Sequence, residues 1–192
     1  MTAGSWNNLQ TVTHGRSYTV LGRQGKCISG KIGKVTTDYV SLKLSNGTDV
    51  NIERHDVLRV TSYPSYVIYS GRSSWADVRE YLSYPTEAVR VTLKAPPTEY
   101  VGKGELVSEV DITMSQPRGH VKLKKSQIST VDIISYTPLS DGNEYWAEEC
   151  GITPICVLNV GLWPRLLGFG PRMRVRLFDS SLPEDNTPVP CK

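Results

Sequence analysis

Arg172, Arg174 and Arg176 alternate with Met173, Val175 and Leu177 near the end of a 192-residue chain. On an extended strand that spacing sets three guanidinium groups on one face, about 7 Å apart. Such a row can grip an anionic polymer or a carboxylate-rich partner through forked hydrogen bonds. It can equally pair with Glu148, Glu149, Glu184 and Asp185 of the same tail. A second basic group is Arg118, Lys122, Lys124 and Lys125, with His120 among them. On a strand Lys122 and Lys124 share a face. Clustered cations of this kind reward phosphate contact, and they also serve as a solvated face that discourages edge pairing. These seven residues are the candidate anion-binding positions.

Catalytic chemistry finds no comparable footing. The chain has no Gly-x-Ser-x-Gly, no His-Glu-x-x-His and no phosphate-loop lysine motif. Gly102-Lys103-Gly104 is a lysine between glycines inside a strand pattern. Asp38, Glu105 and Asp111 have no partner at a catalytic spacing. The four cysteines contain no Cys-x-x-Cys, and the three histidines lie far from them, so the common zinc spacings are missing. The expectation is a chain without enzymatic activity and with neither cofactor nor metal. Cys150, Cys156 and Cys191 fall in the last 43 residues, and a disulfide joining Cys191 to Cys150 or Cys156 is expected if the protein is exported. Cys27, in an alternating stretch, is expected to be a small core residue.

Composition bounds the elements that hold these groups. The net charge is +3, hydrophobic residues make up 39% and charged residues 21%. That is a globular balance, too apolar for disorder and with a weak basic bias for a nucleic-acid binder. The longest apolar runs, such as 131–134 with Asp132 inside it, are too short to span a membrane. No signal peptide is read at Met1-Thr2-Ala3-Gly4-Ser5-Trp6, and export of the mature domain is still favoured from the cysteines. Ten tyrosines and many Val, Ile and Thr favour strands, while 16 glycines and 12 prolines call for many turns.

The pattern repeats. Ser5-Trp6-Asn7-Asn8-Leu9 is echoed by Ser74-Trp75-Ala76-Asp77-Val78, each a Ser able to cap a short helix. In the first copy 18–21 alternates; 26–35 is a long strand bent at Gly30; 38–44 alternates through Val40, Leu42 and Leu44. Asn46-Gly47 is a hairpin signal, which explains Asn46-Gly47-Thr48 better than glycosylation does. Val50 and Ile52 continue the core face, Arg54-His55-Asp56 turns, and 57–60 closes the unit. In the second copy 89–93, 100–107 and 110–114 are strands, and 116–119 is a turn. Val121 and Leu123 match Val50 and Ile52 at a shift of 71. Trp6 and Trp75 are expected to pin each leading helix onto its barrel; Trp146 and Trp163 are expected to cover an exposed barrel face. The segment 172–178 is expected to be a strand and 181–192 irregular.

The run from Gly25 to Val60, GKCISGKIGKVTTDYVSLKLSNGTDVNIERHDVLRV, resembles the Sm-like (LSm) pattern. That pattern has a bent second strand with Gly, an alternating third strand, a Gly turn, and a closing basic–x–acidic–Ile/Val segment. The likeness covers about 5–61 and, less clearly, 74–135, and is nearest to uncharacterised, secreted-looking bacterial proteins that carry such modules behind a Ser-Trp helix. It implies an all-β chain of two five-stranded barrels, at 1–62 and 74–137, joined by a linker at 63–73. An irregular extension at 138–192 would pack on them. It implies protein partners or self-association through outer strands. RNA binding is less well carried: Thr36 stands where RNA-binding members have Asp, no Asn follows, and His55 follows Arg54 where Gly would stand. Arg118-Gly119 comes one element too early. The leading expectation is a non-enzymatic binding or assembly module; the alternative is nonspecific nucleic-acid binding through the basic groups.

Overall fold

The computed structural model describes residues 6–10, 16–62, 66–82, 88–136, 172–185 and 187. In the first half, Trp6 and Asn7 begin a helical turn that runs on as a 3-10 turn, Asn8–Gln10. Six strands follow: β1 Ser17–Gly22, β2 Cys27–Val35, β3 Tyr39–Lys43, β4 Asp49–Glu53, β5 Val57–Ser62 and β6 Tyr66–Ser70. Helix α1, Trp75–Leu82, leads into β7 Ala88–Leu93, β8 Glu99–Val107, β9 Asp111–Gln116, β10 Gly119–Lys124, β11 Ile128–Tyr136 and β12 Arg172–Asp179. They form two antiparallel sheets of identical plan, β4-β3-β2-β1-β5-β6 and β10-β9-β8-β7-β11-β12. In each, the fifth strand returns beside the first.

The all-β, two-unit expectation holds, and two details change. Each unit has six strands in an open sheet, not five in a closed barrel. The extra strand comes from segments expected to be linker or extension: β6 lies inside 63–73, and β12 belongs to the tail. Both find their place by pairing with an exposed ladder edge. Val60 sits opposite Tyr69, and Val131 opposite Phe178. The tail arginine segment is therefore an integral strand, while the remainder of 138–171 lies outside the described residues.

Alternation decides which side chains enter the core. Val40 and Leu42, Val89 and Val91, Ile112 and Met114, and Val175 and Leu177 are all buried. Gly30 is required by close approach: a Cβ there would meet the Lys43 carbonyl oxygen at 2.7 Å. Asn46 and Gly47 make the expected turn, Gly47 at φ +85° and the Thr48 amide donating to Asn46 Oδ1 at 3.0 Å. The basic–x–acidic segment Arg54–Asp56 and its counterpart Lys125–Gln127, which ends in a neutral glutamine, become 3-10 turns. Cys27 does not enter the core. It is the exposed first residue of β2 and is not a free thiol.

Trp6 and Trp75 behave as expected, while Trp146 and Trp163 lie outside the described residues. Trp6 and Trp75 are 1% and 2% exposed, and each indole Nε1 donates across its unit, to Thr36 O at 2.7 Å and Ser108 O at 2.8 Å. Each ring meets the sixth strand edge-on: Trp6 with Tyr69 at 5.0 Å, Trp75 with Phe178 at 5.2 Å. The units also join each other. Asn8 Nδ2 donates to Ile68 O in β6 and to Arg174 O in β12, and the buried apolar residues of both sheets form one cluster. Among the described residues no helix is long and apolar enough to cross a membrane.

Candidate functional site

Asp132 explains the arginine row. It interrupts the apolar stretch Val131 to Ile134 and is fully buried on β11, opposite Arg176 in the ladder. A buried carboxylate needs a charged partner. Arg176 Nε donates to Asp132 Oδ1 at 2.8 Å, Arg174 Nε donates to Oδ2 at 2.8 Å, and Arg174 Nη2 also contacts Oδ2. Arg176 reaches Asp179 Oδ2 as well, at 3.3 Å. These arginines spend their charge within the sheet, on partners other than the tail acids expected. The Arg172 side chain lies outside the described residues, as do Cys150, Cys156 and Cys191. Asp132 itself was legible as an acid inside an apolar run, but not its pairing.

The lysine group divides. Lys125 belongs to the fold: its Nζ lies 5.1 Å over the Trp75 ring and 2.8 Å from Glu184 Oε2. Lys122 holds Asp111 at 3.0 Å and keeps 67% of its side chain exposed. The Ser108 hydroxyl first, then Lys122, holds the Asp111 carboxyl below the usual carboxylate range. Arg118 and Lys124 are exposed and make no ion pair among the described residues. In ladder order β10 and β12 are the two ends of one sheet, and the lysines and the arginine row meet different carboxylates.

The densest charged cluster was not foreseen. Asp77 on α1 is fully buried, and Arg72 grips it through Nε at 3.0 Å and Nη2 at 2.6 Å. Arg59 of β5, 3% exposed, adds a contact to Asp77 at 3.3 Å and another to Glu80. Arg72 continues outward: Nη1 donates to Thr187 O at 2.9 Å and lies 3.8 Å from Asp185. Residues 179–185 and Thr187 are thereby strapped across the junction. The Ser73 hydroxyl donates to Asp179 O and accepts from the Asp179 amide, both at 2.9 Å. The Asp185 amide donates to Ser73 O at 2.8 Å. The sequence carried one signal, the Ser-x-x-acid spacing from Ser74 to Asp77 that marks a helix start.

Beside this cluster is a cleft of about 60 Å³ at the β6–β12 junction. Arg54, Tyr69, Arg72, Arg176, Asp179 and Leu182 are among its lining residues. Burial pushes the Tyr69 hydroxyl up, with Arg54 and Arg23 pulling against it. No three His, Cys, Asp or Glu side chains gather as metal ligands among the described residues. The chain matches no known protein-family model and shows no significant similarity to a curated protein.

Proposed function

We propose that this chain is a non-enzymatic assembly module, a tandem duplication of an Sm-like unit, that associates with further copies of itself through its outer edge strands. The Sm-like part is supported by the doubled pattern: a leading helix or helical turn that begins with Trp, four meandering strands, and a 3-10 turn before a fifth that returns beside the first. The assembly part rests on one observation. In each sheet the β5 or β11 side is covered by the chain's own β6 or β12, while β4 and β10 end the ladders.

Those two outer edges are complementary. β4 exposes Asp49, Asn51 and Glu53 on one face. β10 exposes His120, Lys122 and Lys124 at the same two-residue spacing. Laid antiparallel against a second copy's β10, Asp49 faces Lys124 and Glu53 faces His120, while backbone donors and acceptors complete a ladder. Like-with-like pairing of β4 or of β10 is opposed by charge. Because the two edges differ, the contact is head-to-tail and extends into rings or fibres.

The test is light scattering across a wide concentration range at low and high salt. A mass that rises with concentration and falls with salt is expected. Lys122→Glu with Lys124→Glu should abolish it, and adding Asp49→Lys with Glu53→Lys should restore it. A monomer at every concentration would sink the proposal. Nonspecific nucleic-acid binding is the weaker reading, because Arg174, Arg176 and Lys125 are each engaged by carboxylates. Only the β9–β10 hairpin, with Arg118, Lys122 and Lys124, favours it. Fluorescence anisotropy of single-stranded RNA and DNA over a salt series checks it: steeply salt-dependent binding would support it.

A further inference from the structure

The two units share a design at the tryptophan. In the second, Lys125 lies over the Trp75 ring and its ammonium is met by the Glu184 carboxylate, 2.8 Å away. In the first, the Arg54 guanidinium lies 5.3 Å over the Trp6 ring. Arg54 has a weak contact to Thr37 O at 3.5 Å, but no carboxylate partner among the described residues. Where the second unit has an acid, the first has the cleft.

We infer that this cleft is a binding site for a carboxylate head group, held by Arg54 and the Tyr69 hydroxyl. It rests on the cleft and the cation pattern, not on the edge-strand assembly. Charge agrees with this. Arg54, Arg72 and Arg176 line the cleft against one carboxylate, Asp179, and that carboxylate is already engaged by Arg176 and the Ser181 hydroxyl. Arg72 is balanced by Asp77 and Asp185, which leaves Arg54 as the guanidinium with coordination to offer. A forked guanidinium suits a carboxylate's two oxygens. Size agrees as well. About 60 Å³ is room for roughly four water-sized groups, which is a carboxylate and one methylene. The walls are fixed by the T-shaped Trp6–Tyr69 pair and by the Ser73 contacts to Asp179, so the site is preformed.

Two sources of that chemistry exist: a small free carboxylate, or a glutamate side chain of a protein partner. A nitrogen-15 chemical-shift titration of the whole chain separates them. The probes are acetate, a doubly capped glutamate, and acetamide as the neutral control, with chloride holding ionic strength constant. Saturable shifts are expected at the Tyr69, Ser70 and Gly71 amides for the carboxylates and not for acetamide. Tighter binding of acetate identifies a free carboxylate; tighter binding of the capped glutamate identifies a side chain. Arg54→Gln should weaken either by about tenfold or more, and Tyr69→Phe should weaken it less while keeping the ring. Arg118→Gln should change nothing. The charge-reversed Lys122→Glu, Lys124→Glu protein, which cannot assemble, should bind unchanged, so failure here and failure of assembly are distinct results. Absence of saturable shifts, or equal shifts with acetamide, overturns the site.

Discussion

Arg72 meets Asp77 through two nitrogen–oxygen contacts of 3.0 and 2.6 Å, with the arginine side chain 2% exposed and the aspartate fully buried. The pair joins the end of β6 to the first turn of α1. Because Arg72 also holds Thr187 O, it ties the strap segment to the same point. Burial works against the Arg72 charge, but the hydrogen bonds and charge of Asp77, with Asp185 behind, outweigh it and raise its pKa further. One buried carboxylate thus organises the boundary between the two sheets.

Replacing that carboxylate should be severe. Asp77→Asn removes the one buried carboxylate that Arg59 and Arg72 share, leaving only the partly exposed Glu80 and Asp185, and should cost about 3 kcal/mol or more. Glu80 also meets Arg59 but is 40% exposed, so Glu80→Gln should cost less than about 1 kcal/mol. Urea unfolding midpoints measure both. Equal, small losses would show that the cluster is not the organising contact.

The strap should loosen in acid. For Asp179, burial raises the pKa, but the Ser181 hydroxyl and amide together with Arg176 win, and the net shift is downward from 3.8. For Asp185 burial is likewise outweighed, by Thr187, Arg72 and Arg23. A carboxylate with a depressed folded pKa contributes stability that is fully present above its unfolded value. That contribution is lost as pH falls through the folded value. Amide exchange at Ser180 and Asp185 should therefore accelerate below about pH 4, while amides of β3 stay protected. Asp179→Asn with Asp185→Asn should flatten the dependence. A pH-independent strap would refute it.

Gly30 should tolerate no side chain. A Cβ would lie 2.7 Å from the Lys43 carbonyl oxygen and 3.4 Å from Leu42 Cβ. Gly30→Ala should cost about 1–3 kcal/mol through displacement of β3. At Gly33 the nearest atom, Ser41 Oγ, would be 3.7 Å away, and Gly33→Ala should stay within about 0.5 kcal/mol of the parent. Thermal melts of the two variants make the comparison.

Cysteine chemistry can be counted directly. Cys27 is not a free thiol, and the chain holds three others, Cys150, Cys156 and Cys191. Alkylation without reduction, followed by mass spectrometry, should find fewer than four free thiols and a cross-linked peptide that contains Cys27. Four alkylated cysteines would overturn this.

Much of the local order is determined by the sequence alone. Period-two alternation from Val40 to Leu42 and from Ile112 to Met114 specifies a buried face. Asn46-Gly47 specifies a turn, because glycine there takes a positive φ at little cost. The repeated Ser-Trp start specifies two anchored units, since an indole that size is stable only when buried with its nitrogen paired. These are short-range matters, settled by neighbours a few residues apart.

Tertiary structure decided the rest. Whether Arg174 and Arg176 face a partner or the protein depended on β12 adding beside β11 and bringing them to Asp132, 42 and 44 residues away in sequence. Which strand ends each sheet depended on β6 and β12 pairing beside β5 and β11. Arg59, Arg72 and Asp77 are legible one by one as ordinary charges, and only folding drains the water that makes them a cluster. Charge pairing and edge pairing are decided by distance in space, which local pattern does not encode.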